Sequence, residues 1–467
     1  MEAKNTEGMN HRYSLWYLLL AGAYGVGVIL PGRWVPEYAS VLGSVVFAAI
    51  AFFSLRAHIQ ALMALRAGPI SEPGPEPEDW PMVSLVIPSF NEEAVLEQTI
   101  RSALAMDYPA DRLELIYPYE STCTDRTEEI IRSFAARDPR IRPLEHRGQK
   151  RGKAPITDFG IRHAKGEIIG VFDADHVLNP DLVRLAVAEL RDRKVGCVRG
   201  RCRIRNAEQN LVTRVGSMER DIIERLGIYG SYRLGGFSNF GGGHGFFRRE
   251  IFDEIGFFNE DILTEDIDFS VRLHLAGYEI RVLPQMQSWE ETPGSLASLY
   301  HQRKRWSRGW MQVWRLHAGA VLRSRGLSLV KKADIVVSLF SSLASVFLAA
   351  MIPLLGLAAL GVRTSYYGPQ VSFWLWMYVT MTPLSLAWLT CILDQQEPRP
   401  PSLGRYFLLP LVIPYVVVLI CVGWLSFMDE FVLGRPYSYV KTARTPSVSK
   451  GPVVAGEAAV LADVPQG

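Results

Sequence analysis

The sequence predicts an α/β domain with a mostly parallel sheet, set between apolar segments long enough to cross a membrane. In the middle of the 467-residue chain, short apolar runs alternate with stretches of helical periodicity, a pattern typical of strand–helix repeats. Elsewhere the apolar residues cluster toward the two ends. A net charge of +2 argues against a surface for nucleic acid or another polyanion.

Each predicted strand is a short apolar run bounded by turn residues, and a segment with helical spacing follows most of them. Ligands of such sheets bind beyond the carboxyl ends of the strands, so functional residues are expected there. The predicted strands are Val83–Ser89, Leu113–Tyr117, Ile168–Phe172 and Cys197–Arg199. The predicted helices are Glu92–Ala105, Asp125–Ala135, Lys153–Ala164, a helix that opens at Asn179-Pro180, and Ile267–Ala276.

Two apolar runs precede this domain. Tyr13–Leu30 and Tyr38–Leu55 are nearly uncharged and each is about long enough to span a bilayer. A signal peptide is the alternative for the first run, but the second follows at once, which favours a transmembrane hairpin. Basic residues after the second run, such as Arg56 and Arg66, predict that the α/β domain is cytoplasmic.

Three more apolar runs follow the domain: Ile335–Leu360, Val371–Leu393 and Tyr406–Met428. Three spans would export the C-terminal tail, whereas the basic residues of that tail favour the cytoplasmic side. The last run contains Pro410 and Pro414, so it is the candidate for a re-entrant or interfacial segment.

These segments predict six parts of the chain. The linker is rich in Pro, Glu and Gly, and the tail is small and polar. The parts are a transmembrane hairpin (1–67), a linker (68–81), the α/β domain (82–294), interfacial helices (295–330), C-terminal transmembrane helices (331–430) and a partly disordered tail (431–467).

Five cysteines show no disulfide framework and no CxxC pair. Cys197 and Cys202 are nearest to each other but lack an adjacent run of Cys or His. Their spacing therefore does not predict a zinc site.

Acidic residues stand where ligands are expected. Asp173 and Asp175 come directly after the third predicted strand, and two carboxylates there can share a hard cation such as Mg²⁺ or Mn²⁺. The alternative is a turn that caps a helix. Thr264-Glu265-Asp266 opens a helix, either as a cap with acids that offset the helix dipole or with Asp266 as a general base. Lys153 is either a solvated lysine or a phosphate ligand.

Gln302, Arg305 and Trp306 follow the domain at a spacing that places all three on one face of a helix. The flanking segment is rich in aromatic and basic residues. In isolation, this segment is typical of an interfacial anchor that binds anionic lipid.

Taken in chain order, these motifs resemble the processive branch of glycosyltransferase family 2, which includes cellulose, hyaluronan, chitin and poly-N-acetylglucosamine synthases. The resemblance covers about Val83 to Trp314, with apolar segments on both sides where the family has them. It implies an α/β GT-A (Rossmann-like) domain inserted between transmembrane α-helices. The motifs that carry it are Pro88-Ser89-Phe90-Asn91-Glu92, Thr124-Asp125-Arg126-Thr127, Lys153, Asp173-Ala174-Asp175, Thr264-Glu265-Asp266 and Gln302-Arg303-Lys304-Arg305-Trp306.

The resemblance also implies roles. Asp173 and Asp175 would hold Mg²⁺ or Mn²⁺, and Asp266 would deprotonate the acceptor hydroxyl in an inverting transfer. Glu120-Ser121 departs from the paired aspartates usual in the family. The residues implied for the nucleotide-sugar are Pro88, Asn91, Glu92, Glu120, Lys153, Asp173 and Arg305. Those implied for the acceptor are Gln302, Trp306, Glu265 and His244, the last in a glycine-bearing loop over Phe240–Arg249.

The function expected from this resemblance is a multi-pass membrane hexosyltransferase, in the plasma membrane, with its catalytic domain in the cytoplasm. It would extend a β-linked polysaccharide from UDP-N-acetylglucosamine or UDP-glucose, with export through its own helices as an extension of that role. The alternative is a single transfer to a lipid such as ceramide, diacylglycerol or polyprenyl phosphate. A scaffold with a decayed domain is disfavoured, because the acidic and QxxRW motifs are intact.

Overall fold

The computed structural model describes residues 2–66, 79–395 and 403–437. Most of the predicted linker (68–81) and the tail beyond residue 437 lie outside these ranges. The chain divides into two compact units. Of the described residues, one unit comprises those up to Ile59 with those from Phe340 to Tyr437, and the other comprises those between Gln60 and Leu339.

The second unit contains an eight-stranded mixed sheet. Its strands are β1 (Val83–Val86), β2 (Leu113–Glu120), β3 (Ile141–His146), β4 (Ile168–Phe172), β5 (Val177–Leu178), β6 (Val195–Ile204), β7 (His244–Arg248) and β8 (Glu279–Glu290). They lie in the order β3-β2-β1-β4-β7-β6-β8-β5. Strands β1 to β4 form one parallel half. Strand β7 runs antiparallel to both β4 and β6, β8 is parallel to β6, and β5 is antiparallel to β8.

Four predicted strands are confirmed, since β4 has the predicted bounds and β1, β2 and β6 overlap predicted strands. Strands β3, β5, β7 and β8 were not predicted, and the sheet is mixed because β7 and β5 run antiparallel to their neighbours. Strand β7 lies within the segment interpreted as a glycine-bearing loop, Phe240–Arg249, so that segment is a loop only up to Gly243.

Both faces of the sheet are covered, because alternate residues of one strand enter different hydrophobic clusters. On β1, Val83 and Leu85 pack into one cluster and Val86 into the other. On β4, Phe172 belongs to the first cluster and Val171 to the second. This two-sided burial explains why these strands are continuous apolar runs.

The helices of this unit agree with the predictions to within a few residues at their starts. The first begins at Leu96 rather than Glu92, because residues 92–95 form a turn. The α-helices are Leu96–Leu104, Thr127–Ala135, Lys153–His163, Leu182–Leu190, Leu211–Asp221, Tyr229–Arg233, Glu250–Ile255, Glu265–Leu275 and Leu296–Arg323, with a 3₁₀ turn at Ala110–Arg112 and a π-helical segment at Ile222–Ile228.

Five helices of the described chain are long and apolar enough to cross a membrane, by length and composition. In the last of them a 3₁₀ segment, Leu403–Leu411, precedes the α-helix, and it contains Pro410, whose ring cannot donate a helical hydrogen bond. The candidate spans are Leu15–Trp34, Glu37–Leu65, Leu329–Ala359, Pro369–Asp394 and Tyr406–Val432. The underlying helices are Glu2–Trp34, Pro36–Leu65, Leu329–Ala349, Met351–Ala359, Pro369–Asp394 and Val412–Phe427, with a π-helical end at Met428–Val432.

Candidate active site

The two aspartates after β4 lie in a turn that leads into strand β5. The alternative of a helix-capping turn is therefore wrong. Asp175 is buried, and its Oδ2 atom accepts a hydrogen bond of 3.1 Å from the backbone N–H of Glu291. Asp173 is more open, with 31% of its side chain exposed. Asp173, Asp175 and His176 place ligand atoms within 4.8 Å of one another.

Lys153 forms an ion pair with Asp173. It is the first residue of the Lys153–His163 helix, and its position is fixed by the preceding residue, because Gly152 donates its N–H to Glu120 Oε1 at 2.9 Å. Burial lowers the pKa of Lys153, but the negative charges of Asp173, Glu265 and Asp266 outweigh burial and raise the pKa above its ordinary value. Lys153 therefore carries a positive charge and is not a freely solvated lysine.

Glu265 and Asp266 occupy the first turn of the Glu265–Leu275 helix. Burial raises the pKa of Glu265 to about 7 against the opposing charge of Lys153. Burial also raises the pKa of Asp266, again against Lys153. Thr264 occupies the N-cap position, but within the described part of the chain its side chain makes no capping hydrogen bond. A capping role thus does not explain Thr264.

Two glycines of the loop before β7 lie between the two acidic motifs. A Cβ atom added to Gly242 would lie 3.0 Å from Asp266 Oδ2 and 3.4 Å from Lys153 Nζ. A Cβ added to Gly243 would lie 2.5 Å from Asp173 Oδ2 and 3.0 Å from His176 Nε2. Glycine is required here because the backbone itself fills the space against these side chains.

The helix that carries Gln302, Arg305 and Trp306 contacts the Thr264–Asp266 motif. Arg305 donates to the carbonyl oxygen of Leu263 at 3.4 Å, and Leu263 donates its N–H to Gln312 at 3.2 Å. One turn further along, His317 Nε2 lies 2.7 Å from Asp268 Oδ1. The general-base candidate and the QxxRW helix are therefore held together at several points.

Among these contacts, the helix approaches the Thr264–Asp266 motif most closely at Gly309. A Cβ atom at this position would lie 2.5 Å from both Oγ1 and Cγ2 of Thr264. The single C–H of glycine thus lets the Leu296–Arg323 helix approach the start of the Thr264–Asp266 motif.

We expect Gly309→Ala to lower turnover at least tenfold, because Thr264 must move and a shift of about 1 Å at reacting groups can cost ~10²-fold. Gly319→Ala is the matched control in the same helix. Its Cβ would meet only the flexible end of Arg323, at 3.2 Å. Because alanine has a higher helix propensity than glycine, Gly319→Ala should be about 1 kcal/mol more stable than the wild type. Its turnover should be unchanged. Thermal unfolding and nucleotide release measure the two effects, and equal turnover in both variants would contradict the role of the contact.

Gln302 and Trp306 lie on the same helix and are both half-buried. Gln302 Oε1 accepts a hydrogen bond of 3.0 Å from Arg303, and the Arg303 guanidinium lies 4.2 Å from the centre of the Trp306 ring. Arg303 also pairs with Glu219 of the Leu211–Asp221 helix. One face of the Trp306 ring is therefore covered by a cation, an interaction that the QxxRW pattern does not reveal.

The residues implied for the nucleotide lie at the ends of β1 and β2. Asn91 adopts φ 54° and accepts the N–H of Thr124 at 2.8 Å, while Glu92 donates its N–H to Thr127 at 2.7 Å. Pro88 is buried just before them. These hydrogen bonds join the loops that follow two adjacent parallel strands.

Glu120 ends β2, and both of its carboxylate oxygens accept hydrogen bonds: Oε1 from Gly152 and Oε2 from Thr122 at 3.1 Å. In this arrangement Glu120 fixes the start of the Lys153 helix. Any effect of Glu120 on nucleotide binding would therefore act through the position of Lys153.

His244 is buried at the start of β7, where its ring packs on Phe172 and its Nδ1 atom lies 2.8 Å from Ser288 Oγ. Burial lowers the pKa of His244 well below its ordinary value, so the ring is neutral. Its position beneath the glycine loop does not support the predicted contact with an acceptor.

A buried polar network links His244 to the aspartate turn, and sequence spacing did not reveal it. Ser288 Oγ also lies 3.2 Å from His176 Nδ1, and His176 Nε2 lies 3.5 Å from Glu290 and 3.9 Å from Cys202 Sγ. Burial opposes a charge on His176, yet Cys202, Glu290 and Asp175 raise its pKa well above the usual range.

Cys202 thus has a histidine and a glutamate beside it, all within metal-binding distance of one another. Sequence spacing did not predict a zinc site because Cys202 has no run of Cys or His next to it in the chain. His176 and Glu290 come from other segments and lie beside Cys202 only in the folded domain. Arg220 pairs with Glu290 at 2.9 Å. A guanidinium therefore already supplies positive charge to this cluster.

The comparisons with known proteins agree with this arrangement. Residues 81–309 match the family model described as "Glycosyltransferase like family 2". The chain carries a glycosyltransferase family 2 domain. The matched range includes all the site residues predicted from the sequence, from Pro88 to Trp306.

Two relatives of this family 2 domain have different products. A beta-monoglucosyldiacylglycerol synthase of Synechocystis is 29% identical over 269 residues, which are 55% of each protein. A poly-beta-1,6-N-acetyl-D-glucosamine synthase of Staphylococcus epidermidis is 30% identical over 254 residues, 53% of this chain and 59% of the relative. The chain thus matches little more than half the length of these relatives.

A solved structure resembles the chain over a longer range. The mannosyltransferase PcManGT of Pyrobaculum calidifontis, solved with GDP-Man and Mn²⁺, aligns with a TM-score of 0.53 and 22% identity. The alignment covers 78% of this chain and 99% of PcManGT. The predicted GT-A fold with flanking helices is confirmed, and its sheet is mixed, with β5 and β7 antiparallel to their neighbours.

The donor atoms after β4 suit a divalent cation. Asp173 and Asp175 offer oxygen ligands, which Mg²⁺ and Mn²⁺ prefer, and Asp175 is already oriented by the N–H of Glu291. His176 faces Glu290 and favours its protonated form, so the two aspartates are the better ligands.

Proposed function

We propose that this protein is a membrane-embedded, inverting glycosyltransferase that extends a β-linked polysaccharide from a nucleotide-sugar, UDP-N-acetylglucosamine or UDP-glucose. Its family 2 domain would lie in the cytoplasm and its apolar helices in the plasma membrane. The basic residues that flank the apolar runs support this orientation. Export of the product through the membrane helices would extend the same role.

One observation carries the proposal: two acidic motifs far apart in the chain meet around one lysine. Asp173 pairs with Lys153, and the charges of Glu265 and Asp266 act on the same ammonium group. Such a cluster is suited to a diphosphate on one side and a reacting hydroxyl on the other. Carboxylates and a lysine with shifted pKa values at the end of a sheet are typical of a catalytic centre.

The reaction follows from these positions. The Asp266 carboxylate accepts the proton of an acceptor hydroxyl while the hydroxyl oxygen forms a bond to the anomeric carbon. The bond from that carbon to the donor diphosphate breaks on the opposite side, so the configuration inverts. Lys153 and Arg305 stabilise the negative charge that develops on the leaving nucleoside diphosphate. Asp266 then loses its proton to water.

Asp173 and Asp175 would hold Mg²⁺ or Mn²⁺. When bound, the ion would neutralise charge on the donor diphosphate and assist its departure. The Mn²⁺ in the complex of PcManGT with GDP-Man supports this assignment.

The acceptor would lie against Gln302 and Trp306, near Glu265. Because Arg303 covers one face of Trp306, a sugar ring would pack on the opposite face. Stacking of a sugar on tryptophan tolerates successive units of a chain, which suits an elongating product.

The second candidate function is transfer of a single sugar to a membrane lipid such as diacylglycerol, ceramide or polyprenyl phosphate. The match to the beta-monoglucosyldiacylglycerol synthase supports it, because its identity and coverage equal those of the polysaccharide synthase to within a few per cent. The same catalytic groups would serve both reactions, so product length separates them.

The test is nucleotide release by the purified full-length protein in lipid nanodiscs, with a panel of UDP- and GDP-sugars and Mg²⁺ or Mn²⁺. We expect release with one donor and a long product, absent in Asp266→Asn. One sugar attached to lipid would instead establish the second function. Release that is the same in the wild type and Asp266→Asn would contradict both.

A further inference from the structure

The Lys153 ammonium group lies beside Asp173, where a divalent cation bound by Asp173 would place its positive charge. The two side chains form a direct ion pair, with 26% of Lys153 and 31% of Asp173 exposed. Asp173 is also the more open of the two aspartates proposed as metal ligands. The oxygen that Lys153 contacts is therefore one of the few that an incoming metal ion could reach.

Several charges around Lys153 hold it there. Glu265 and Asp266 also attract the ammonium group. Asp266 Oδ2 and Lys153 Nζ both lie within 3.4 Å of the point where a Cβ of Gly242 would stand. Arg305 also acts on these acids, and its charge favours the ionised forms of Glu265 and Asp266.

A metal ion and the ammonium group cannot both stay at Asp173. Each is positive, and their repulsion is strong at contact distance in a partly dehydrated site. A metal ion bound there must push Lys153 away from Asp173. The anionic diphosphate of a nucleotide would give the displaced ammonium group a new partner.

We propose that Lys153 is the resident counter-ion of Asp173 and makes binding of a divalent metal dependent on binding of the nucleotide. Without nucleotide, the metal must break the Lys153–Asp173 pair and so binds weakly. With nucleotide, Lys153 moves to the diphosphate and Asp173 becomes free to ligate. By reciprocity, the metal strengthens nucleotide binding by the same factor. This inference rests on the proposed function of the site.

The backbone around Lys153 permits such a movement without disturbing the fold. Gly152 has φ 114°, and its N–H is tied to Glu120, so the start of the helix is fixed while the lysine side chain can turn. A lysine side chain has several rotatable bonds and carries its charge at the end. The change therefore requires only a new side-chain rotamer.

The test is a titration of Mn²⁺ into the full-length protein, with free Mn²⁺ measured by electron paramagnetic resonance. We expect weak binding by the wild type alone and binding about tenfold tighter with UDP or GDP present. Lys153→Met should bind Mn²⁺ about tenfold more tightly without nucleotide, since the competing charge is gone, and nucleotide should tighten its Mn²⁺ binding less than it does in the wild type. Lys153→Arg should retain weak binding.

Lys150→Met is the matched control, because Lys150 pairs with Glu260 and Asp261 at the surface. It should bind Mn²⁺ like the wild type, and Asp173→Asn should abolish the tight binding gained in Lys153→Met. Equal or weaker nucleotide-free binding by a folded Lys153→Met variant would overturn the proposal, as would tight binding that survives Asp173→Asn. These measurements need no sugar transfer, so failure of the proposed function would appear separately, in the donor panel.

Discussion

Replacement of Asp266 by asparagine is expected to lower the rate of sugar transfer by about 10²- to 10⁴-fold, the usual contribution of a general base. Asparagine keeps the shape of the side chain and can still accept the N–H of Ile267, which lies 2.9 Å from Asp266 Oδ1. It cannot take a proton from the acceptor hydroxyl. Nucleotide release with the active donor measures the loss.

The control is Asp261→Asn, a nearby aspartate with 84% of its side chain exposed, which should leave the rate unchanged. Affinity for UDP or GDP should be nearly the same in Asp266→Asn as in the wild type. A large loss of nucleotide affinity in Asp266→Asn would assign this carboxylate to binding or folding instead of proton transfer.

Alanine at Gly242 is expected to lower transfer by about 10²-fold, because its Cβ would press on Asp266 and Lys153, two groups that we propose act in the reaction. The atom would lie 3.0 Å from Asp266 Oδ2 and 3.4 Å from Lys153 Nζ. Gly242 also has φ 87°, a conformation that costs an alanine roughly 1–2 kcal/mol.

Gly235→Ala separates these two effects. Gly235 has φ 73°, and no heavy atom of the described chain beyond its immediate neighbours lies within 4 Å of the added Cβ. Both variants should lose similar stability in thermal unfolding, and only Gly242→Ala should lose activity. Equal activity losses would mean that backbone strain, not contact with Asp266 and Lys153, is responsible.

The fold could be predicted where local pattern and burial agree. Strand β4 has the predicted bounds because Ile168–Phe172 is buried on both faces and is bounded by polar residues. Strand β8 was not predicted because Pro284 interrupts the alternation of apolar and polar residues along it. In the structure, its register against β6 shifts between Gly200 and Arg201. A single run of alternating residues was therefore hard to recognise.

The site could be predicted in its parts but not in its contacts. The positions of Asp173 and Asp266 at element ends followed from the sequence. The proximity of Gly309 to Thr264 and of Ser288 to His176 did not, because these pairs are far apart in the chain and no local pattern links them. Ser288 and Gly309 looked like ordinary residues of a strand and a helix until the fold placed them.

The Leu296–Arg323 helix has a consequence of its own. Its 28 residues make a continuous rod about 42 Å long, with Gln302 and Trp306 near one end and Arg323 at the other. Gly309 and His317 fasten its middle to Thr264 and Asp268. Because the helix is held at its middle, a tilt that displaces its Arg323 end would displace Trp306, near the other end, in the opposite direction. The helix therefore gives events remote from the sheet a mechanical route to the proposed acceptor site.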